Sequence, residues 1–183
     1  MTSESFGPKA DIDAWTPIST KELVAFLIIS SLALKFCLTG DRWFPVLDAA
    51  NLMFHEAGHP LIGIFSSQLM VYGGTLGQLA FPSALAIKFY FEKNLIGFAV
   101  SLLWLFENLL NISRYMGDAR SQLLPLVGGG EHDWTEILGR WHVLEKDAIL
   151  AKSLAGVAVL GILSTAAWAY TRWLTGQRKA QEE

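Results

Sequence analysis

The stretch Asp48-Ala49-Ala50-Asn51-Leu52-Met53-Phe54-His55-Glu56-Ala57-Gly58-His59-Pro60-Leu61-Ile62 decides how the rest of the chain is read. It is largely apolar, yet it carries two histidines four positions apart with a glutamate directly after the first. Residues four apart on a helix differ by only about 40° in direction, so both imidazoles leave one face and can share one tetrahedral metal ion. Zinc suits such nitrogen ligands, and it lowers the pKa of a bound water to about 7. Glu56 lies beside the first histidine, where its carboxylate can take a proton from that water instead of binding the metal. In a soluble helix His55 and His59 could simply be packed polar residues. Here they sit in an apolar segment, where ionisable groups are costly and mark function.

The same helix face carries more polarity. Asp48 and Asn51 precede His55 by seven and four positions, so Asp48, Asn51, His55 and His59 form one stripe. A carboxylate or amide behind a ligating imidazole orients it, which gives Asp48 a supporting role unless it is merely hydrated at a membrane edge. Pro60 cannot donate its backbone hydrogen bond and can kink the helix at the site.

A catalytic zinc takes three protein ligands and keeps one position open. A second stripe, Glu107, Asn111, Arg114 and Asp118, recurs at helical spacing within another apolar run. The third ligand is expected among Asp118, Glu107 and His132. The bland reading of Asp118 is an ion pair with Arg114. His132 and Asp133 follow Gly128-Gly129-Gly130, a stretch able to turn sharply. They could fold back over the site as a fourth ligand, an oxyanion donor or a lid. Alternatively, Asp133 caps a short helix with Glu136 three residues on.

Outward from the motif, the chain of 183 residues is 52% hydrophobic and only 17% charged. Soluble domains carry about 25% charged residues. The apolar residues fall in blocks, so the expected fold is all-α, a polytopic membrane bundle of about five transmembrane helices, of which the second segment could instead be partly re-entrant. Residues 1–20 read as a polar tail, 21–175 as one transmembrane domain and 176–183 as a polar tail. Ser19 and Glu22 have the spacing of a capping box before a first span at about 23–38. Trp43 marks a membrane edge and Pro45 opens the HExxH helix, about 45–65. Tyr72-Gly73-Gly74 is expected to break the chain before a third span at about 76–91. A fourth span covers about 95–113 within a ligand-bearing helix at about 95–118, and a polar loop covers 114–147. Trp134 to Glu145 has the spacing of a short interfacial helix, and the last span covers about 149–170.

Net charge is −3, which leaves nucleic acid without an electrostatic basis as a partner. Cys37 is the single cysteine, so no intramolecular disulfide fixes the compartment. The first residues lack a basic stretch before an apolar core, so no cleaved signal peptide is expected. Arg172, Arg178 and Lys179 favour a cytoplasmic C-terminus, against Arg114 and Arg120 on the other side of the count.

The arrangement resembles the site-2 protease family of intramembrane zinc metallopeptidases. That family carries HExxH in one transmembrane helix and an aspartate as third zinc ligand two helices later. The resemblance covers about residues 45–120, with His55, Glu56 and His59 in the motif and Asn111 to Asp118 in the third helix. The family's Leu-Asp-Gly is Gly117-Asp118-Ala119 here, and its upstream prolines are lacking. Its Gly-x-x-x-Asn, whose asparagine holds substrate backbone, becomes Gly74-Thr75-Leu76-Gly77-Gln78. The resemblance implies zinc as cofactor, Glu56 as catalytic base and His55, His59 and Asp118 as ligands. It implies Gln78 or Asn111 as contacts to the substrate, the spanning helix of another membrane protein. Two other functions use the same features: a non-catalytic subunit of a larger membrane complex that keeps a metal site, and a membrane metalloenzyme acting on a lipid or small molecule.

Overall fold

A computed structural model describes residues 15–39, 44–127 and 131–182. The expected tail before residue 15, Trp43 and the glycines Gly128 to Gly130 lie outside these residues. The described chain is all-α. Its six helices are α1 (Thr20–Leu38), α2 (Pro45–Gly63), α3 (Met70–Phe91), α4 (Leu95–Gly117), α5 (Asp133–Arg140) and α6 (Asp147–Glu182). A short 3-10 turn, Leu144–Lys146, leads into α6.

Local chemistry sets most of the boundaries. Ser19 and Glu22 form the expected capping box at α1. Pro45 opens α2, and the Asp48 carboxylate accepts the backbone N–H of Phe44 at 2.5 Å. Asn94 caps α4 by accepting the N–H of Gly97 at 2.9 Å. Two stretches differ from expectation. Trp15 to Ser19, read as tail, are anchored: Ile18 is buried, and the Thr16 N–H donates to the Lys93 carbonyl at 2.9 Å. Gly73 and Gly74, read as a break, lie inside α3, which starts at Met70.

Packing explains why those glycines are helical. An interior helical glycine costs about 1 kcal/mol relative to alanine, but it lets two backbones approach closely. A Cβ on Gly58 would stand 2.0 Å from the carbonyl oxygen of Gly73. A Cβ on Gly77 would stand 2.4 Å from the carbonyl oxygen of Phe54. The glycine inside the HExxH motif thus meets a glycine face of α3. The pairs 58 with 73 and 54 with 77 make α2 and α3 antiparallel. Phe89 against Gly97 and Phe81 against Trp104 make α3 and α4 antiparallel, and Phe106 against Gly161 with Gly117 against Ala151 does the same for α4 and α6.

Buried polar residues share the interior of the bundle with two apolar clusters, one around Leu23, Phe26, Leu103 and Ile162 and one around Ile112, Trp134 and Leu138. Its interior holds Ser30, Asp48, Asn51, Gln78, Ser101, Glu107 and Asn108, all under 5% exposed. Its exterior carries Ile28, Val46, Met53, Leu61, Phe65, Leu76, Ile87 and Leu160. Exposed apolar surface on this scale marks a lipid or protein contact. Among the described residues two stretches, α4 and Leu144–Glu182, are long and apolar enough to cross a membrane. α1 carries charges near its ends at Lys21, Glu22 and Lys35. Buried Gly73, Gly74, Gln78 and Pro82 lower the apolar character of α3 without touching its outer face.

The α2–α3 contact gives a direct prediction. Gly58→Ala should lower the thermal midpoint in detergent by an amount corresponding to about 1–3 kcal/mol of overpacking. Gly176→Ala should be neutral or stabilising, because nothing lies within 4 Å of a Cβ there. Thermal unfolding followed by circular dichroism checks both.

Candidate metal centre

Three side chains from two distant parts of the chain converge at one end of the bundle. His55 Nε2 lies 2.9 Å from Asp133 Oδ2, and His59 Nε2 lies 3.2 Å from the same oxygen. The imidazole rings sit edge to face with centroids 4.9 Å apart. His55 and Asp133 are buried and His59 is half-buried. The spacing expected of an HExxH helix is therefore realised, and α5 brings the carboxylate.

The groups behind the histidines fix which ring nitrogen carries a proton. His59 Nδ1 lies 2.9 Å from the Met70 carbonyl oxygen, which can only accept, so Nδ1 is the donor. His55 Nδ1 lies 3.0 Å from Gln78 Oε1 and donates in the same sense. In neutral imidazoles both Nε2 atoms then present lone pairs toward Asp133. Asp133 Oδ2 itself is buried and lacks a hydrogen-bond donor. Three lone pairs facing one point are repulsive until a cation joins them. The edge of a tetrahedral zinc site with bonds of about 2.0–2.1 Å is roughly 3.3 Å, close to the observed separations. The donor set therefore fits zinc. Histidines whose second nitrogen is held by an amide or carbonyl are the usual support of such a site.

Space for the His55 ring is cut from α3. A Cβ on Gly74 would lie 2.4 Å from His55 Nε2, so only glycine leaves room for the ring. Asp133 is held by its own surroundings. His132 caps α5, its side chain accepting the Thr135 N–H at 3.3 Å. The Asp133 N–H donates to the Tyr115 hydroxyl at 3.1 Å, and the Tyr115 ring edges His55 with centroids 5.7 Å apart.

The other sequence-derived candidates stand as follows. Asp118 is not in the metal group. It follows the last residue of α4, where the Leu123 and Leu124 N–H groups and the Ser121 hydroxyl all donate to its carboxylate. Burial works against its charge, but those hydrogen bonds and nearby His132 hold its pKa below the ordinary carboxylate value. Burial lowers the pKa of His132, with the carboxylates of Asp118 and Asp133 opposing the shift. His132 Nε2 faces Asp118 Oδ2 at 3.6 Å. Glu107 is fully buried, accepting from Asn51 at 2.8 Å and from the Cys37 thiol at 3.8 Å. Asp48 accepts from Asn111 at 2.6 Å and so ties α2 to α4. Gln78 stands behind His55, as described. Asp133 is the residue the sequence offered in two ways, as helix cap or as part of a fold-back over the site. In the structure His132 takes the capping role and Asp133 the position beside the histidines.

Around the three residues opens a cleft of about 860 Å³. Glu56, half-buried, lines it together with His55, His59 and Asp133. Apolar Leu124, Pro125 and Leu126 form another part of its lining, and Arg114 and Arg140 add positive charge. Arg120 pairs with Asp147 at 2.7 Å, tying the turn after α4 to the start of α6.

Comparison with protein-family models, with curated proteins and with solved structures returned no match. The centre is consequently read on its own geometry.

Metal content distinguishes Asp133 from Asp118. Purified wild type is expected to hold about one zinc, and His55→Ala, His59→Ala and Asp133→Ala to lose it. Asp118→Asn should retain it, while Gln78→Leu should weaken affinity about 10–100-fold. Atomic emission and chelator competition measure these values.

Proposed function

We propose that the protein is an intramembrane zinc metallopeptidase that hydrolyses peptide bonds of membrane-protein substrates. The observation that carries this reading is the convergence of the His55, His59 and Asp133 lone pairs in a cleft that also holds the Glu56 carboxylate. The apolar exterior and the two long apolar helices support a multi-pass placement in the lipid bilayer. Arg172, Arg178 and Lys179 support a cytoplasmic C-terminus.

His55, His59 and Asp133 would hold the zinc, which when bound would supply Lewis acidity to a carbonyl and to water. Glu56 accepts the proton that water loses as its oxygen bonds to the carbonyl carbon. The same carboxyl then delivers the proton to the departing amide nitrogen as the carbon–nitrogen bond breaks. Gln78 and the Met70 carbonyl keep the imidazoles oriented throughout. A spanning helix has its backbone bonds satisfied internally, so a substrate segment must unwind before its carbonyl is open to attack. The apolar lining at Leu124 to Leu126 suits the side chains of such a segment, and Asn111 on the cleft wall offers an amide to its freed backbone.

The test uses zinc-loaded protein in detergent and a panel of transmembrane peptides carrying a fluorophore and a quencher. Wild type should cleave at least one peptide, and Glu56→Gln should lower turnover by about 100-fold or more with zinc retained. Zinc-loaded wild type that cleaves none of the panel would move the reading to a metal-holding subunit. Equal turnover in Glu56→Gln would remove Glu56 from the chemistry.

A further inference from the structure

Contacts at the two ends of the bundle fix how the chain passes through it. The Leu95 N–H donates to the Thr16 hydroxyl at 3.2 Å, so α1 and α4 start at the same end. Cys37, near the far end of α1, donates to Glu107, twelve residues into α4, so the two helices run parallel. α3 must then descend, because it ends at the turn leading into α4. With 22 residues it is roughly 33 Å long, so its start lies at the opposite end of the bundle. The Arg140 guanidinium donates to the Gln68 carbonyl, which places the connection into α3 beside α5. α2 therefore ends where α3 begins, on the α5 side. It also starts in that half: Phe44 packs on Phe36 near the end of α1, with ring centroids 5.5 Å apart, and Asp48 bonds Asn111 in the last turns of α4.

A five-crossing path would place Thr16 and Lys93 on opposite faces of a membrane, yet they are hydrogen-bonded. It would also separate Trp15 from Trp168, whose rings meet at 5.1 Å. At that end Trp15 also meets Tyr90 at 5.8 Å, with Lys93 4.9 Å from the Tyr90 ring and Arg172 5.9 Å from the Trp15 ring. Amphipathic rings with cations reaching outward are the side chains of a headgroup layer.

We propose that α2 is a re-entrant helix and that the chain crosses the bilayer four times, through α1, α3, α4 and α6. Both ends of the described chain then lie on the face whose Trp15, Tyr90 and Trp168 cluster seats among phospholipid headgroups. The metal cleft opens on the opposite face. A helix start at membrane depth, such as that of α2, is tolerated where protein buries it or lines it with polar groups. Asp48, Asn51, Glu107, Asn108 and Asn111 supply such groups there. With a cytoplasmic C-terminus, the site would be reached from the non-cytoplasmic side.

The inference rests on the membrane part of the proposed function and is independent of catalysis. Its test is cysteine labelling with a membrane-impermeant maleimide in sealed vesicles of both orientations, in a Cys37→Ala background. Single cysteines replace Lys21, Gln68, Glu92, Glu145 and Gln177 in turn, all exposed. Lys21→Cys, Glu92→Cys and Gln177→Cys should label from one side, and Gln68→Cys and Glu145→Cys from the other. Labelling of Lys21→Cys with Gln68→Cys and opposite Glu92→Cys would restore five crossings and overturn the re-entrant helix. Recovery of the protein in the soluble fraction would overturn the membrane reading itself.

Discussion

The backbone-to-backbone contact of α2 and α3 is the constraint on which the rest of the molecule depends. Gly58, Gly73 and Gly77 bring the two helices to a distance that any side chain would prevent. That approach sets Gln78 and the Met70 carbonyl directly behind the two histidines. It also leaves, at Gly74, the space the His55 ring occupies. Small residues at a helix interface serve close packing in lipid, where no hydrophobic force drives helices together. Here the same device fixes the tautomers of two imidazoles and so makes their outer nitrogens available to a cation.

A second constraint lies deeper. Asn51 donates to Glu107 and accepts from Trp104 and Asn108, while Asp48 accepts from Asn111. Unpaired buried polar groups are costly, and these hydrogen bonds pair most of the network, with Asn108 Oδ1 left without a partner. It attaches the HExxH helix to α4 with its histidine face toward the α5 loop. Tyr115 and Asp133 complete the arrangement from that side. The metal centre therefore draws on α2 for its histidines, on α3 for their orientation and on α4 with the α5 loop for the carboxylate.

Much of this was legible from spacing. Two histidines four apart, a capping box at Ser19 and Glu22, and a polar stripe at Glu107 and Asn111 are local patterns, and each has the expected helical setting. What depends on tertiary placement was not legible. Asp118 continues the stripe in sequence, but α4 ends at Gly117, and the turn's own N–H groups capture its carboxylate. Asp133 reaches the histidines only because the loop folds back, which periodicity does not encode. Glycine propensity placed a break at Gly73 and Gly74, and close packing outweighed it. Hydropathy finds apolar segments without saying at what depth they begin, so it left open whether the second segment crosses or is partly re-entrant.

The measurement that bears most directly on the centre is the zinc K-edge absorption spectrum of the purified, zinc-loaded protein. Scattering from two imidazoles with oxygen ligands and no sulfur is predicted, and Asp133→Asn should alter the oxygen contribution while both imidazoles remain. A spectrum with three imidazoles would bring His132 to the metal and contradict the proposed donor set. A spectrum unchanged in His55→Ala would place the zinc elsewhere.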